Sequence, residues 1–182
     1  MKKICSFILK LVGWKTYLKT PDVPKAIICV APHTSNWDFI IGKIFYWSYG
    51  HTAHFMIKRE WFIFPFNLIM KPLGGIAVGG ERNKLLVDEV VKLFNENEKF
   101  QIAITPEGTR QRTIKWKKGF YHIAVKAGVP IILCYLDYEK KVISFEKIFY
   151  PTGDEKVDLQ EIMEFYRDKK GRFPKQFALN ER

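Results

Sequence analysis

The chain has 182 residues, 47% of them hydrophobic, with a formal net charge of +11. That size and apolar content fit a single domain with a substantial core, and the charge calls for an anionic partner: nucleic acid, a phosphorylated small molecule or an acidic membrane surface. The three cysteines, Cys5, Cys29 and Cys134, are odd in number and far apart, which argues against a disulfide framework or a zinc site and for a reducing, cytoplasmic environment.

Residues 1–19, MKKICSFILKLVGWKTYLK, are too interrupted by lysine to span a bilayer. Lys10 breaks the apolar region and no small-residue cleavage site follows, so they do not read as a signal peptide. On a helical wheel Ile4, Phe7, Ile8, Leu11, Trp14 and Leu18 share one face, flanked by Lys3, Lys10 and Lys15. We expect an amphipathic helix over residues 1–20, ahead of a domain over 21–182. Its apolar face either packs on that domain or enters a headgroup region while the lysines snorkel, and the wheel fits both.

The stretch KAIICVAPHTSNWDFIIGK, residues 25–43, organises the rest. Its first run is short, apolar and bounded by Pro24 and Pro32, which predicts a buried strand. Ser35 or Asn36 can cap a helix that continues through Phe39, Ile40 and Ile44 to about Tyr49, with Gly50 as its stop. Between them lies a strand-to-helix turn holding His33 and, five positions on, Asp38 in the first helical turn. Asp38 can accept a hydrogen bond from one imidazole nitrogen and leave the other facing outward as a general base. The plainer alternative is a capping aspartate and a turn histidine.

Residues 52–58 read as a second strand. The cluster Trp61 to Phe66, broken by Pro65, reads as ordinary core, although it could also line an acyl pocket or touch membrane. A short strand at Ile76 to Val78 and a clear amphipathic helix over 83–98 follow. Residues 100–105 alternate like a strand and run into a second polar loop, Glu107 to Arg110. A helix over 119–127 closed by Gly128, strands over 129–136 and 141–149, and a helix over 157–167 complete the pattern. The tail from Lys169 reads as polar and irregular. This alternation predicts an α/β fold: a central, largely parallel sheet flanked by helices. In such a sheet the two polar loops gather at one edge and can share a cleft. The second loop brings a guanidinium on a glycine-containing turn, suited to phosphate; alternatively, Glu107 and Arg110 form a structural ion pair.

Other chemistries lack their parts. There is no G-x-S-x-G elbow, no glycine-rich phosphate loop and no H-E-x-x-H, and His51 and His54 on a strand would face opposite sides. No metal site is expected.

The motifs together resemble the glycerolipid acyltransferases, the 1-acylglycerol-3-phosphate acyltransferase family. His33 to Asp38 is similar to its H-x-x-x-x-D motif and Glu107-Gly108-Thr109-Arg110 to its E-G-T-R motif. Lys58, Arg59 and Glu60 with Pro65 and Gly74 to Ile76 resemble its second block. Val129 to Ile132 resembles the fourth, with Lys117 to Phe120 as lead-in. The resemblance covers roughly residues 25 to 137, and the order is right. It implies a glycerol-3-phosphate acyltransferase-like fold. It also implies transfer of a fatty acyl group from acyl-coenzyme A or acyl carrier protein to a lysophospholipid hydroxyl, with 1-acyl-sn-glycerol-3-phosphate as first choice. His33 would be the base and Asp38 its orienting acid, without an acyl-enzyme intermediate. Glu107, Gly108, Thr109, Arg110, Arg82 and Lys58 would bind substrate, with Arg110 holding the acceptor's phosphate.

Two positions depart from the family pattern. Pro32 stands where Asn often precedes the histidine, and Gly79-Gly80 stand where an acidic-basic pair usually ends the second block. Glu81 and Arg82 follow two positions later and could substitute. The resemblance implies no bound cofactor; the thioester donor is a substrate. A bilayer-resident acceptor, with no membrane-spanning segment in the sequence, implies a peripheral protein at the cytoplasmic face of an anionic membrane. Two alternatives stay open: the same chemistry on another lysolipid or an acylated amino-acid lipid, and a non-catalytic basic lipid-binding module. Nucleic acid is not expected as a partner, because no aromatic-interleaved motif for it is present.

Overall fold

The computed structural model of the protein describes residues 1–78 and 83–179. Its strands are β1 (Lys15–Leu18), β2 (Lys25–Val30), β3 (His54–Lys58), β4 (Gly75–Val78), β5 (Phe100–Ile104), β6 (Ile131–Asp137) and β7 (Val142–Phe149). The helices are α1 (Lys2–Leu11), α2 (Trp37–Tyr49), α3 (Asn67–Met70), α4 (Asn83–Glu96), α5 (Gly119–Ala127) and α6 (Glu155–Phe165). The seven strands form one sheet in the order β1-β7-β6-β2-β5-β3-β4. Among the described residues only the β6–β7 hairpin pairs antiparallel; every other neighbouring pair is parallel. The expected helix-flanked, mostly parallel sheet is therefore what the chain forms.

Alternation along β2 divides the core into two layers. Ile27 and Cys29 face Val90 and Phe94 of α4, Phe120 and Ile123 of α5, and Leu159 and Ile162 of α6. Ala26 and Ile28 face the other way, toward Leu9 of α1 and Phe45 and Tyr46 of α2. Burial on both faces explains why β2 and β6 read as continuous apolar runs. Glycines end α2 and α5 as expected: Gly50 (φ 81°) and Gly128 (φ 64°) take the left-handed conformation, where a side chain would be strained. α6 begins two residues before its expected start, because Asp154 caps it by accepting from the Lys156 and Val157 backbone N–H groups.

Three expectations need correction. The N-terminal helix stops at Leu11, and residues 15–18, which the helical wheel had carried on, are an edge strand. Gly13 (φ 81°) makes the break, and β1 pairs in parallel with β7. The aromatic cluster does not read as core over its described side chains: Ile63 is 62% exposed, Phe64 78% and Phe66 45%. It spans the end of a 3-10 turn (Arg59–Phe62) and the turn that leads into the one-turn α3, elements too short to bury a face. The tail is not ragged either. It makes a 3-10 turn (Pro174–Gln176), and Thr113 bridges to Phe177.

Strand direction positions the site. β2, β3, β4, β5 and β6 all run parallel, so the loops after Val30, Ile104 and Asp137 emerge at one edge. β7 runs oppositely and β1 follows it, so both of these strands begin at that same edge.

Candidate active site

The loop after β2 is tied through Asp38, which is 3% exposed in the first turn of α2. Its Oδ2 lies 3.0 Å from His33 Nδ1. The same oxygen accepts from the backbone N–H groups of Thr34 and Ser35, both at 2.9 Å. Its Oδ1 accepts from the Tyr138 hydroxyl at 2.6 Å. Three of these four donors cannot lose their proton near neutrality, so Asp38 is supplied as an anion and Nδ1 is the ring nitrogen that carries hydrogen. Nε2 is left with a free lone pair, on a ring whose side chain is 19% exposed.

Local sequence accounts for this geometry. The Ala31–Pro32 peptide is cis at the exit of the strand. Asn36 occupies the N-cap position but makes no capping bond; Ser35 Oγ instead accepts from Trp37 N–H at 3.2 Å. Asp38 thus satisfies loop amides ahead of the helix, a role beyond that of a simple cap.

The second loop, after β5, meets the first through Glu107. Its Oε1 accepts from the His33 backbone N–H at 2.8 Å, across 74 residues of sequence. Glu107 is only 3% exposed. Burial pushes its carboxyl up to about 8; the His33 N–H opposes that shift and the nearby Asp38 charge adds to it. Among the described residues no ion pair joins Glu107 to Arg110. Gly108 (φ 63°) turns the chain outward, and the Lys117 side chain lies where a Cβ at Gly108 would stand, 2.7 Å from that position. Thr109 Oγ1 accepts from Gln111 N–H at 3.2 Å, and Arg110 is exposed on the far limb of the turn. The expectations for the Lys58 side chain and for Arg82 lie outside the described residues.

Two groups of site residues were missing from the sequence reading. Tyr138 follows β6 directly, at the edge where His33 emerges, so knowing that β2 and β6 are neighbours would have flagged it. The tail is the other. Thr34 Oγ1 accepts from the Phe173 backbone N–H at 3.2 Å. The orientation of the Gln176 amide that satisfies both its ends lets its nitrogen donate to Arg110 O (2.8 Å) and Thr34 O (3.0 Å). The Arg172 guanidinium lies 5.6 Å from the Trp37 ring centroid. These residues strap both motif loops together, and no motif in the tail announces it.

A family model described as Acyltransferase matches residues 16–137. The chain belongs to the acyltransferase family. The match ends as β6 ends and takes in both loops, those that carry the hydrogen-bonded His33–Asp38 dyad and Glu107. Among solved structures the chain is similar to a 1-acyl-sn-glycerophosphate (LPA) acyltransferase, PlsC, from Thermotoga maritima, at 17% identity and a TM-score of 0.57. That alignment covers 93% of this chain and 80% of the other, a likeness of fold. No curated protein matches this acyltransferase in sequence.

Proposed function

We propose that this acyltransferase moves a fatty acyl group from acyl-coenzyme A or acyl carrier protein to the hydroxyl of a lysophospholipid, with 1-acyl-sn-glycerol-3-phosphate the first acceptor to test. The observation that carries the reading is His33 held through Nδ1 by a buried carboxylate whose other bonds are filled. In the proposed reaction His33 Nε2 takes the acceptor's hydroxyl proton as the oxygen attacks the thioester carbonyl. The tetrahedral intermediate then expels the thiolate, which takes the proton back from the imidazolium. One C–O bond forms, one C–S bond breaks, and no acyl-enzyme is needed. Asp38 fixes the tautomer and stabilises the imidazolium. A base positioned in this way contributes about 10²–10⁴ in rate.

Arg110, exposed beside the dyad loop, is our choice for the acceptor's phosphate, because a guanidinium grips phosphate bidentately. Glu107 we assign to holding the loops rather than to touching substrate, since Oε1 is engaged by His33 N–H.

The acceptor's insolubility calls for a membrane contact. No helix among the described residues is long and apolar enough to cross a membrane. α1 buries only Cys5 and Leu9 against the protein and exposes Ile4 (64%), Phe7 (64%) and Leu11 (74%) between lysines. We therefore place α1 on the cytoplasmic face of an anionic bilayer, as a peripheral contact.

Incubating purified protein with panels of acyl donors and lysolipids, read by mass spectrometry, tests the function. A diacyl product that disappears in His33→Ala supports it. Product formed at wild-type rate by that variant overturns it.

A further inference from the structure

The dyad's aspartate has a second support that the reaction as proposed does not use. Asp38 Oδ2 is held by three donors of its own loop, but among the described residues Oδ1 depends on one, the Tyr138 hydroxyl at 2.6 Å. Tyr138 comes from the β6–β7 turn, 100 residues away in sequence. Its placement is over-determined. The neighbouring Asp137 Oδ1 accepts from Lys140 N–H at 2.9 Å and shapes the turn. Tyr138's own N–H donates to Lys170 O at 2.8 Å. Its ring meets the Trp14 ring edge-on, 5.0 Å between centroids at 87°.

Trp14 is the first residue past the break that ends α1. Its N–H donates to Leu9 O at 2.8 Å, and it is 7% exposed, so it moves with that helix. β1 and β7 begin together at the site edge, Lys15 opposite Val142, which is why a residue just ahead of β1 can reach one just ahead of β7.

We propose that Tyr138 is a positioning residue for the dyad, locking the Asp38 carboxylate through Oδ1, and that Trp14 fixes Tyr138 so that the seat of α1 bears on the catalytic geometry. Without the hydroxyl, Oδ1 is a buried anionic oxygen with no donor. The carboxylate is then free to turn about its Cβ–Cγ bond, away from His33 Nδ1. Burial, followed by the Asp38 hydrogen bond, pushes the Tyr138 hydroxyl well above its ordinary range, so it stays a donor at any working pH.

The proposal rests on His33 and Asp38 being the catalytic pair, and its test separates the two ideas. Proton NMR of the full chain reads the low-field Nδ1–H resonance of His33, assigned by its loss in His33→Ala. Tyr138→Phe is expected to shift or broaden that resonance and to lower kcat about tenfold, a part of what a positioned base supplies, with KM for the acceptor within about twofold. Trp14→Phe, which keeps the hydroxyl, is expected to act in the same direction and less strongly. An unchanged His33 resonance in both variants overturns the proposal, as does a changed KM with kcat intact. Should Tyr138→Phe fail to fold, the Trp14→Phe resonance decides alone. Should wild-type protein transfer no acyl group, the resonances still decide the positioning claim, and only the functional reading falls.

Discussion

The backbone N–H of His33 donates to Glu107 Oε1 at 2.8 Å, joining the two motif loops through the main chain of the candidate base itself. The bond suits either state of the carboxyl, but burial favours the neutral one and pushes Glu107 from an ordinary value of 4.5 to about 8. A carboxyl raised on folding binds more protons in the native state than in the unfolded one between those two values. Stability is therefore greatest at the acid end of that window and falls as pH rises toward 8, by at most about 1.4 kcal/mol per pH unit. Glu107→Gln keeps an oxygen that accepts from His33 N–H and removes the titration. Urea unfolding of both proteins at pH 5.5 and pH 8.5 is expected to show the variant gaining on wild type at the higher pH. Parallel pH dependences would contradict this account of Glu107.

A second prediction concerns the strap. Gly171 is buried against the dyad loop, where a Cβ would lie 2.7 Å from Thr34 Oγ1 and 3.2 Å from Pro32 Cβ. Gly171→Ala therefore has to move either the tail or the loop before His33. We expect a loss of about 1–3 kcal/mol, the usual range for overpacking, and a fall in turnover together with it. Thermal unfolding and a transfer assay check this. Gly42→Ala is the control: like Gly171 it is not a positive-φ glycine, but it has open space at its Cβ, so it adds the same methyl group without a clash.

The membrane contact gives a third. Deleting residues 1–19 would remove Leu9, Trp14 and β1 from the fold, so point changes on the exposed face are the cleaner test. Phe7→Glu with Leu11→Glu is expected to leave stability within about 0.5 kcal/mol, as surface changes do. It should reduce sedimentation with anionic vesicles about tenfold or more, since each large apolar side chain withdrawn from water contributes roughly 1.5–3 kcal/mol. Added salt should weaken binding of the wild-type protein. Unchanged sedimentation would return α1 to a packing role alone.

Much of this was legible from the residues. Apolar runs bounded by proline placed β2, and helical spacing with terminal glycines placed α2 and α5, because those signals are local. The His33–Asp38 pairing was legible because both partners lie on one strand-to-helix turn. Its outer support was not. Tyr138 and Gly171 reach the loop from 100 or more residues away, and only strand order brings them there. The aromatic cluster misled because composition records apolar area but not whether an element is long enough to bury it. Trp14 and Leu18 fit a helical wheel that Gly13 interrupts, and a wheel cannot register a turn.

The central claim is that His33 Nε2 removes the acceptor's proton while Asp38 holds Nδ1. It is tested most directly by the kcat of purified His33→Ala and Asp38→Asn for transfer of an acyl group from acyl-coenzyme A to 1-acyl-sn-glycerol-3-phosphate on anionic vesicles, with vesicle binding measured on the same samples. We predict that both variants bind vesicles as wild type does, that His33→Ala loses at least about 10² in kcat, and that Asp38→Asn falls in the same direction. Transfer by His33→Ala at near wild-type rate, with binding intact, would contradict the account.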